Sequence, residues 1–379
     1  MEKVRTLCVF GTRPEAIKMV PIVRALERSE MFSNTICVTA QHRELLDGVL
    51  RSFSILPDYD LNIMEPDQEI SSLTARLLQT LDPILRETSP DLLLVQGDTT
   101  TAFASALAAF YRRIPVAHVE AGLRTGSLSR PYPEEANRRL LGQIACLHFA
   151  PTQGNANNLR RENVPGSVYI TGNTGMDVLR DSLAEDAPYQ NSVLRSLEPQ
   201  NRKILLLTCH RRENRGKPME AVFAAAASLA VRYPEITVVL PLHRSPAVQK
   251  AVQICPANLP NFLLLDPLSV SDMHRLLRRC YFVMTDSGGL QEEAAALGKP
   301  TLVLRTETER PECLLAGTAC LCGTDSEKIL RTARQLLEDP VCYRRMAVAT
   351  NIFGDGHSGE RILRILTEYF QKTREGFEC

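Results

Sequence analysis

No charge of one sign dominates this chain. Lysine and arginine together number 44, and aspartate and glutamate together also number 44. That balance argues against a nucleic-acid-binding tail or a polybasic membrane patch. No apolar run reaches the roughly 18 residues that a membrane-spanning helix needs. The opening MEKVRTLCVFGTRP enters a strand pattern at once, without the apolar core and small-residue cleavage site of a signal peptide. The 11 cysteines include no CxxC pair. Cys8, Cys37 and Cys209 sit in or beside apolar runs, so reduced, buried thiols of a cytoplasmic protein are expected. The GK[ST] of a Walker loop, the GxGxxG dinucleotide fingerprint and the GxSxG nucleophile elbow are all missing. No histidine or cysteine spacing supports a metal site.

What is present is a repeated α/β rhythm. A chain of 379 residues predicts two domains, each large enough to bury its own core. Val4 to Phe10 reads as a buried parallel strand, and GTRPEAIK follows it. Thr12 and Glu15 have capping-box spacing, and Pro14 suits a first helical turn. The helix is expected to run to about Arg28. A well-capped turn is one explanation of this motif. The other is that helix-start amides, with Arg13 and Lys18, meet an anion. Leu73, Leu77, Leu78, Leu81, Ile84 and Leu85 recur at helical spacing and predict an amphipathic core helix over 71–86.

The stretch from Asp91 to Leu141 carries the sharpest set of residues. Leu92 to Val95 is read as a strand ending at Gly97-Asp98, and a second strand, Pro115 to Val119, delivers Glu120 into a loop. Pro133 heads a helix whose first turn holds Glu134. Three carboxylates, Asp98, Glu120 and Glu134, therefore fall at strand carboxyl ends or a helix start, where ligands bind in open α/β sheets. Glu134 and Arg138 stand at i, i+4, which a plain surface ion pair would explain. Against that, three carboxylates at one edge repel unless a role or a cation holds them.

Residues 173–202 are polar and irregular with short helical pieces, and read as an interdomain crossing. The expected division is 1–172, with the amphipathic C-terminal helix 358–379 crossing back onto it, and 203–357. In the second half, Lys203 to Thr208 is a strand ending in His210-Arg211-Arg212, and Ile236 to Leu240 ends near His243. His210 offers a titratable imidazole, and the arginines fixed cations. Thr285-Asp286-Ser287-Gly288-Gly289 opens another helix. Ser287 is expected to cap it, and Gly288 and Gly289 leave the amides open to an anion. Glu293, six residues after Ser287, can accept both hydroxyls of a ribose. Together these suggest a nucleoside diphosphate. TERPE adds a further cation, Arg310.

These residues resemble the non-hydrolysing UDP-N-acetylglucosamine 2-epimerases over nearly the whole chain. GTRPEAIKM, QHRELLD, QGDTTT, HVEAGLRT, PEEANRR, TGNT, HRREN, TDSGGLQEE, TERPE, AGT and GDG-x-x-x-x-RI stand in that family's order and at about its spacing. The resemblance implies a glycosyltransferase-B-like fold of two Rossmann-like domains facing each other across a cleft, in a homodimer. It implies interconversion of UDP-GlcNAc and UDP-ManNAc through elimination of UDP to 2-acetamidoglucal, supplying surface polysaccharide synthesis, with no metal or nicotinamide. Asp98, Glu120, Glu134 and His210 fall on the family's catalytic positions. Arg13, Lys18, Arg138, Ser287, Gly288, Gly289, Glu293 and Arg310 fall on substrate-binding ones. Gln41, Arg211 and His243 match positions linked to activation by a second UDP-sugar. The chain departs where the family often has aromatics, at Val270 and Met273. Competing readings are a hydrolysing relative that releases ManNAc and UDP, an epimerase of a modified UDP-GlcNAc, a glycosyltransferase on the same scaffold, and a non-catalytic UDP-sugar sensor.

Overall fold

The computed structural model describes residues 2–39, 43–63, 68–184, 187–198, 200, 202–255 and 259–374. Two compact units emerge. One comprises residues 1–180 with 353–379, and the other residues 181–352. Each is built on a single parallel sheet, the doubled α/β architecture expected from the sequence.

The first unit holds β1 (Val4–Phe10), β2 (Phe32–Val38), β3 (Tyr59–Asp60), β4 (Leu92–Gln96), β5 (Val116–Val119), β6 (Leu147–Ala150) and β7 (Ser167–Ile170). Their order is β3-β2-β1-β4-β5-β6-β7. All pairings are parallel, with Cys8 opposite both Ile36 and Leu94. Leu92 to Val95 are wholly buried, as a strand covered on both faces requires. The helices Ile70–Thr88 and Thr100–Tyr111 pack together over the apolar cluster containing Leu77, Leu81, Leu93 and Val95. Strand order reverses between β1 and β4, so the loops after these strands flank the sheet's switch point. GTRPE follows β1, and Gly97-Asp98 follows β4.

Close backbone approach sets the geometry there. Thr12 and Glu15 form the expected capping box at the head of the helix Arg13–Glu27. Glu15 is buried and also accepts a hydrogen bond from Thr99 Oγ at 2.6 Å, which ties that helix start to the next one. Burial pushes the Glu15 carboxyl up, opposed by its hydrogen bonds. Gly11 sits beneath this junction. A Cβ placed on it would lie 2.0 Å from Thr39 Oγ and 2.9 Å from Thr101 Oγ, two hydroxyls that bond each other at 3.1 Å.

The C-terminal helix Ser358–Arg374 completes this unit. It packs on the helix Arg13–Glu27, with Ile362, Leu366 and Phe370 buried. Asp177 accepts hydrogen bonds from its first amides, Ser358 at 3.1 Å and Gly359 at 2.8 Å.

The second unit holds β8 (Lys203–Thr208), β9 (Ile236–Pro241), β10 (Phe262–Leu265), β11 (Phe282–Thr285), β12 (Thr301–Val303) and β13 (Ala319–Leu321), in the order β10-β9-β8-β11-β12-β13. This is the same pattern, with its switch point between β8 and β11. The segments that follow those two strands carry His210 and Ser287-Gly288-Gly289. The region read as an irregular crossing contains two helices, Gly175–Ala184 and Ser192–Leu197. Among the described residues, no helix is long and apolar enough to cross a membrane, and the cysteines carry free thiols.

Two outcomes follow from the core of the first unit. Gly11→Ala should lower unfolding free energy by about 1–3 kcal/mol in a denaturant titration. Adding Thr39→Ala should recover part of that loss, because the hydroxyl in the way is then gone. The second concerns His118, which is buried and donates from Nε2 to the Gly97 carbonyl at 2.7 Å. Burial, with the neighbouring His148, lowers its pKa from 6.5 to about 3. The unfolded chain therefore binds a proton between those values that the folded chain refuses, and stability falls as pH drops below 6.5. For this group the loss should reach about 2 kcal/mol by pH 5. Comparing the pH dependence of unfolding of the natural protein with His118→Gln isolates this slope. Equal slopes would contradict it.

Candidate active site

At the switch-point edge of the first unit, Glu120 is the most constrained residue. It follows β5 directly, is only 8 % exposed, and takes a φ of +64° that a non-glycine residue seldom adopts. Strained backbone of this kind clusters at functional sites. Its Oε1 pairs with Lys18 Nζ and accepts from Asn173 Nδ2 at 2.9 Å. Its Oε2 accepts from Gln96 Nε2 at 2.5 Å. Three segments distant in sequence thus converge on one carboxylate.

Asp98 lies in the adjacent loop. Arg138 donates to its Oδ2 from Nε at 2.8 Å and pairs with it through the second guanidinium nitrogen at 2.6 Å. Asn137 Nδ2 holds the Asp98 carbonyl at 2.9 Å. Arg138 is buried and also meets the buried Glu135 at 3.1 Å. Glu135 in turn accepts from the Thr125 amide at 3.1 Å. The helix Glu134–Ile144 therefore docks on the Asp98 loop through its fourth and fifth residues, and its first residue, Glu134, stands half-buried on the same helix. Gly97 closes the group, since a Cβ there would sit 3.7 Å from Glu120 Oε2. The structure thus brings Asp98, Glu120, Glu134, Arg138 and Lys18 to one edge. Arg13 is the first residue of its helix, one turn before Lys18. The pairings of Arg138 with Asp98 and of Lys18 with Glu120 answer the repulsion that three carboxylates would otherwise suffer.

In the second unit the hub is Asp286, which is fully buried. Its Oδ2 accepts from the His210 amide at 2.8 Å, the Arg211 amide at 2.8 Å and Asn214 Nδ2 at 3.1 Å. The His210 ring lies with Nδ1 3.3 Å from Asp286 Oδ1. A face of that ring stacks on His243, with centroids 5.3 Å apart and planes 8° apart. One buried carboxylate thus fixes the loop after β8 to the turn after β11 and aims the imidazole.

Ser287 stands at the N-cap position of the helix Gly288–Ala296, but its side chain makes no capping hydrogen bond. That differs from the expected hydroxyl cap. The Ser287 amide is instead turned inward onto Thr285 Oγ at 2.9 Å, and among the described residues no side chain caps the helix-start amides. Arg310 lies against this helix start. A Cβ on Gly288 would come within 2.8 Å of its guanidinium. Glu292 holds Arg310 Nε at 2.7 Å, and Glu309 lies 3.7 Å away. A fixed cation beside uncapped helix amides suits a diphosphate. Glu293 projects from the next turn, half-buried. At the departures from the family pattern, Val270 is buried and Met273 packs on the core cluster containing Leu276 and Leu290. Gln41 lies outside the described residues.

Sequence reasoning missed Asp286, Gln96, Asn173 and Glu135. Asp286 had a signal, since it occupies the turn after β11 as Asp98 does the turn after β4. Asn173 lies within TGNT.

A family model described as UDP-N-acetylglucosamine 2-epimerase matches residues 24–367. A Salmonella typhimurium UDP-N-acetylglucosamine 2-epimerase is 48% identical over 379 residues, covering 96% of this chain and 99% of that one. The crystal structure of UDP-GlcNAc 2-epimerase from Neisseria meningitidis bound to UDP-GlcNAc superposes with a TM-score of 0.91 at 43% identity, covering 96% of this chain and 100% of that one. The S. aureus MnaA structure with UDP gives 0.92 at 43% identity, covering 97% of each chain. With both switch-point edges in hand and similarity running end to end, the chain belongs to the UDP-N-acetylglucosamine 2-epimerase family.

Proposed function

We propose that this protein interconverts UDP-GlcNAc and UDP-ManNAc by eliminating UDP and adding it back, without hydrolysing the sugar. The observation that carries the reading is the carboxylate set of the first unit, Asp98, Glu120 and Glu134, with cations holding the first two. The C2 hydrogen of the sugar has no neighbouring carbonyl, so it is not acidic enough for simple removal. Coupling its loss to departure of UDP from C1 avoids a free carbanion and leaves 2-acetamidoglucal. Returning a proton to the opposite face of C2, with UDP adding again at C1, yields the epimer. Such chemistry needs proton-transfer groups on both faces of the sugar and stabilisation of the leaving diphosphate.

The carboxylates of the first unit take the proton-transfer roles, while Lys18 and Arg138 keep Glu120 and Asp98 in place. Arg13 adds a cation at its helix start. In the second unit, the amides of Gly288 and Gly289, the Ser287 turn and Arg310 hold the diphosphate. Glu293 holds the ribose, and His210, oriented by Asp286, steadies or protonates the departing phosphate. Arg211 and His243, beside His210, are the described candidates for contact with a second, activating UDP-sugar. Family membership supports a cytoplasmic homodimer whose product feeds polysaccharide synthesis. GTRPE and PEE, which belong to the motifs that resemble the non-hydrolysing members, support this reading over the hydrolysing one.

Proton NMR of the protein with UDP-GlcNAc in deuterated water tests this. UDP-ManNAc should appear, with deuterium at C2 of the recovered UDP-sugars. Asp98→Asn, Glu120→Gln and Glu134→Gln should each slow exchange by about 100-fold or more, with UDP binding retained. Free ManNAc with UDP would replace this proposal with the hydrolysing reaction. Exchange unaffected by all three substitutions would remove the carboxylates from their assigned roles.

A further inference from the structure

The helix Val270–Arg279 is where the crossing segment and the nucleotide-binding edge of the second unit meet. Ser269 caps it through the Asp272 amide at 3.2 Å. Along its length it receives the chain that leads into this unit. Asp272 accepts from the Gln190 and Asn191 amides, both at 2.8 Å. Arg275 donates to the Pro188 carbonyl at 3.1 Å. Arg279 donates to the Leu197, Glu198 and Gln200 carbonyls at 2.5, 3.0 and 2.8 Å. Leu276 and Leu277 anchor its apolar side in the core.

His274 lies on this helix with its side chain only 4% exposed. A buried imidazole needs partners for its nitrogens, and the two point in different directions. Nδ1 meets Ser182 Oγ at 2.5 Å, on the helix that brings the chain into the second unit. Nε2 lies 3.7 Å from Glu293 Oε1, within ion-pair reach of that carboxylate and beyond a hydrogen bond. Nothing in the reaction as assigned uses this histidine.

We propose that His274 is a positioning residue for Glu293. Ser182 fixes the imidazole ring, and the ring fixes the carboxylate that grips the ribose. A glutamate side chain on a half-exposed helix face has three rotatable bonds, and accepting two hydroxyls at once requires one orientation of its carboxylate plane. A buried imidazole behind it, itself held from the far side, restricts that orientation before nucleotide arrives. This inference rests on the ribose role given to Glu293 above.

The test compares binding of UDP and 2′-deoxy-UDP by calorimetry in the full-length protein. The ratio of the two affinities within each variant is its own control for folding losses. The natural protein should prefer UDP by about tenfold, the worth of a charge-assisted hydrogen bond. Glu293→Gln should lose most of that preference. His274→Ala should lose a comparable part while leaving 2′-deoxy-UDP affinity nearly unchanged. Ser182→Ala should shift the ratio the same way by less, and His274→Gln should restore part of it. If Glu293→Gln keeps the preference, the ribose role itself falls, and this inference with it. If Glu293→Gln loses it but His274→Ala weakens both nucleotides equally, His274 serves packing alone and the positioning role is overturned.

Discussion

Glu120 and its partners hold the active edge of the first unit together. A carboxylate this buried at a strand's end is costly unless its oxygens are occupied. Lys18 comes from the first helix, Gln96 from β4, and Asn173 from beyond β7. The unusual backbone at residue 120 is maintained because these three contacts fix the side chain it carries. Remove the carboxylate and an ammonium and two amides lose their common acceptor. The second unit repeats the solution with different residues. There Asp286 gathers two backbone amides and an asparagine onto a single oxygen. In each unit a buried carboxylate at the carboxyl edge of the sheet holds neighbouring segments in a fixed array.

This arrangement divides the chemistry. In the proposed reaction the first unit supplies the acids and bases, and two of them, Asp98 and Glu120, are already paired with cations. The second supplies amides and a buried arginine whose charge is anchored by Glu292. Phosphate recognition needs open donors, and the absence of a side-chain cap from Ser287 leaves them open. Proton transfer needs carboxylates held at fixed positions, and the pairings of Asp98 and Glu120 provide that.

Much of this was legible in the sequence, and the boundary of what was not is instructive. The strands Val4–Phe10 and Lys203–Thr208 are where apolar runs placed them, and the Thr12–Glu15 capping box formed as its spacing predicted. Local rules sufficed because each signal lies within a few residues. The edge strands Tyr59–Asp60 and Ala319–Leu321 are too short for any periodicity to show. The helices Gly175–Ala184 and Ser192–Leu197, ten and six residues long, are the short helical pieces expected there, too brief for their ends to show. Partnerships were the least readable. Lys18 and Glu120 are 102 residues apart, and nothing local says they meet. The i, i+4 spacing of Glu134 and Arg138 allowed a plain ion pair, and nothing local says that Arg138 also bonds Asp98 and Glu135. Ser287 had the right position for a cap, but Thr285 engages its amide instead.

The central claim is that C2–H cleavage is coupled to breaking the bond between C1 and the diphosphate. The most direct measurement uses UDP-GlcNAc labelled with oxygen-18 only in the bridge between C1 and the β-phosphorus. If UDP departs and returns, its β-phosphate can rotate while free, and phosphorus NMR of recovered UDP-sugar should show the label spread into non-bridging positions as epimerisation proceeds. Epimerisation carried to full equilibrium with the label still wholly in the bridge would contradict a UDP that leaves C1 and turns before it returns. The elimination account would then be wrong, and the carboxylates would be moving the C2 proton by another route.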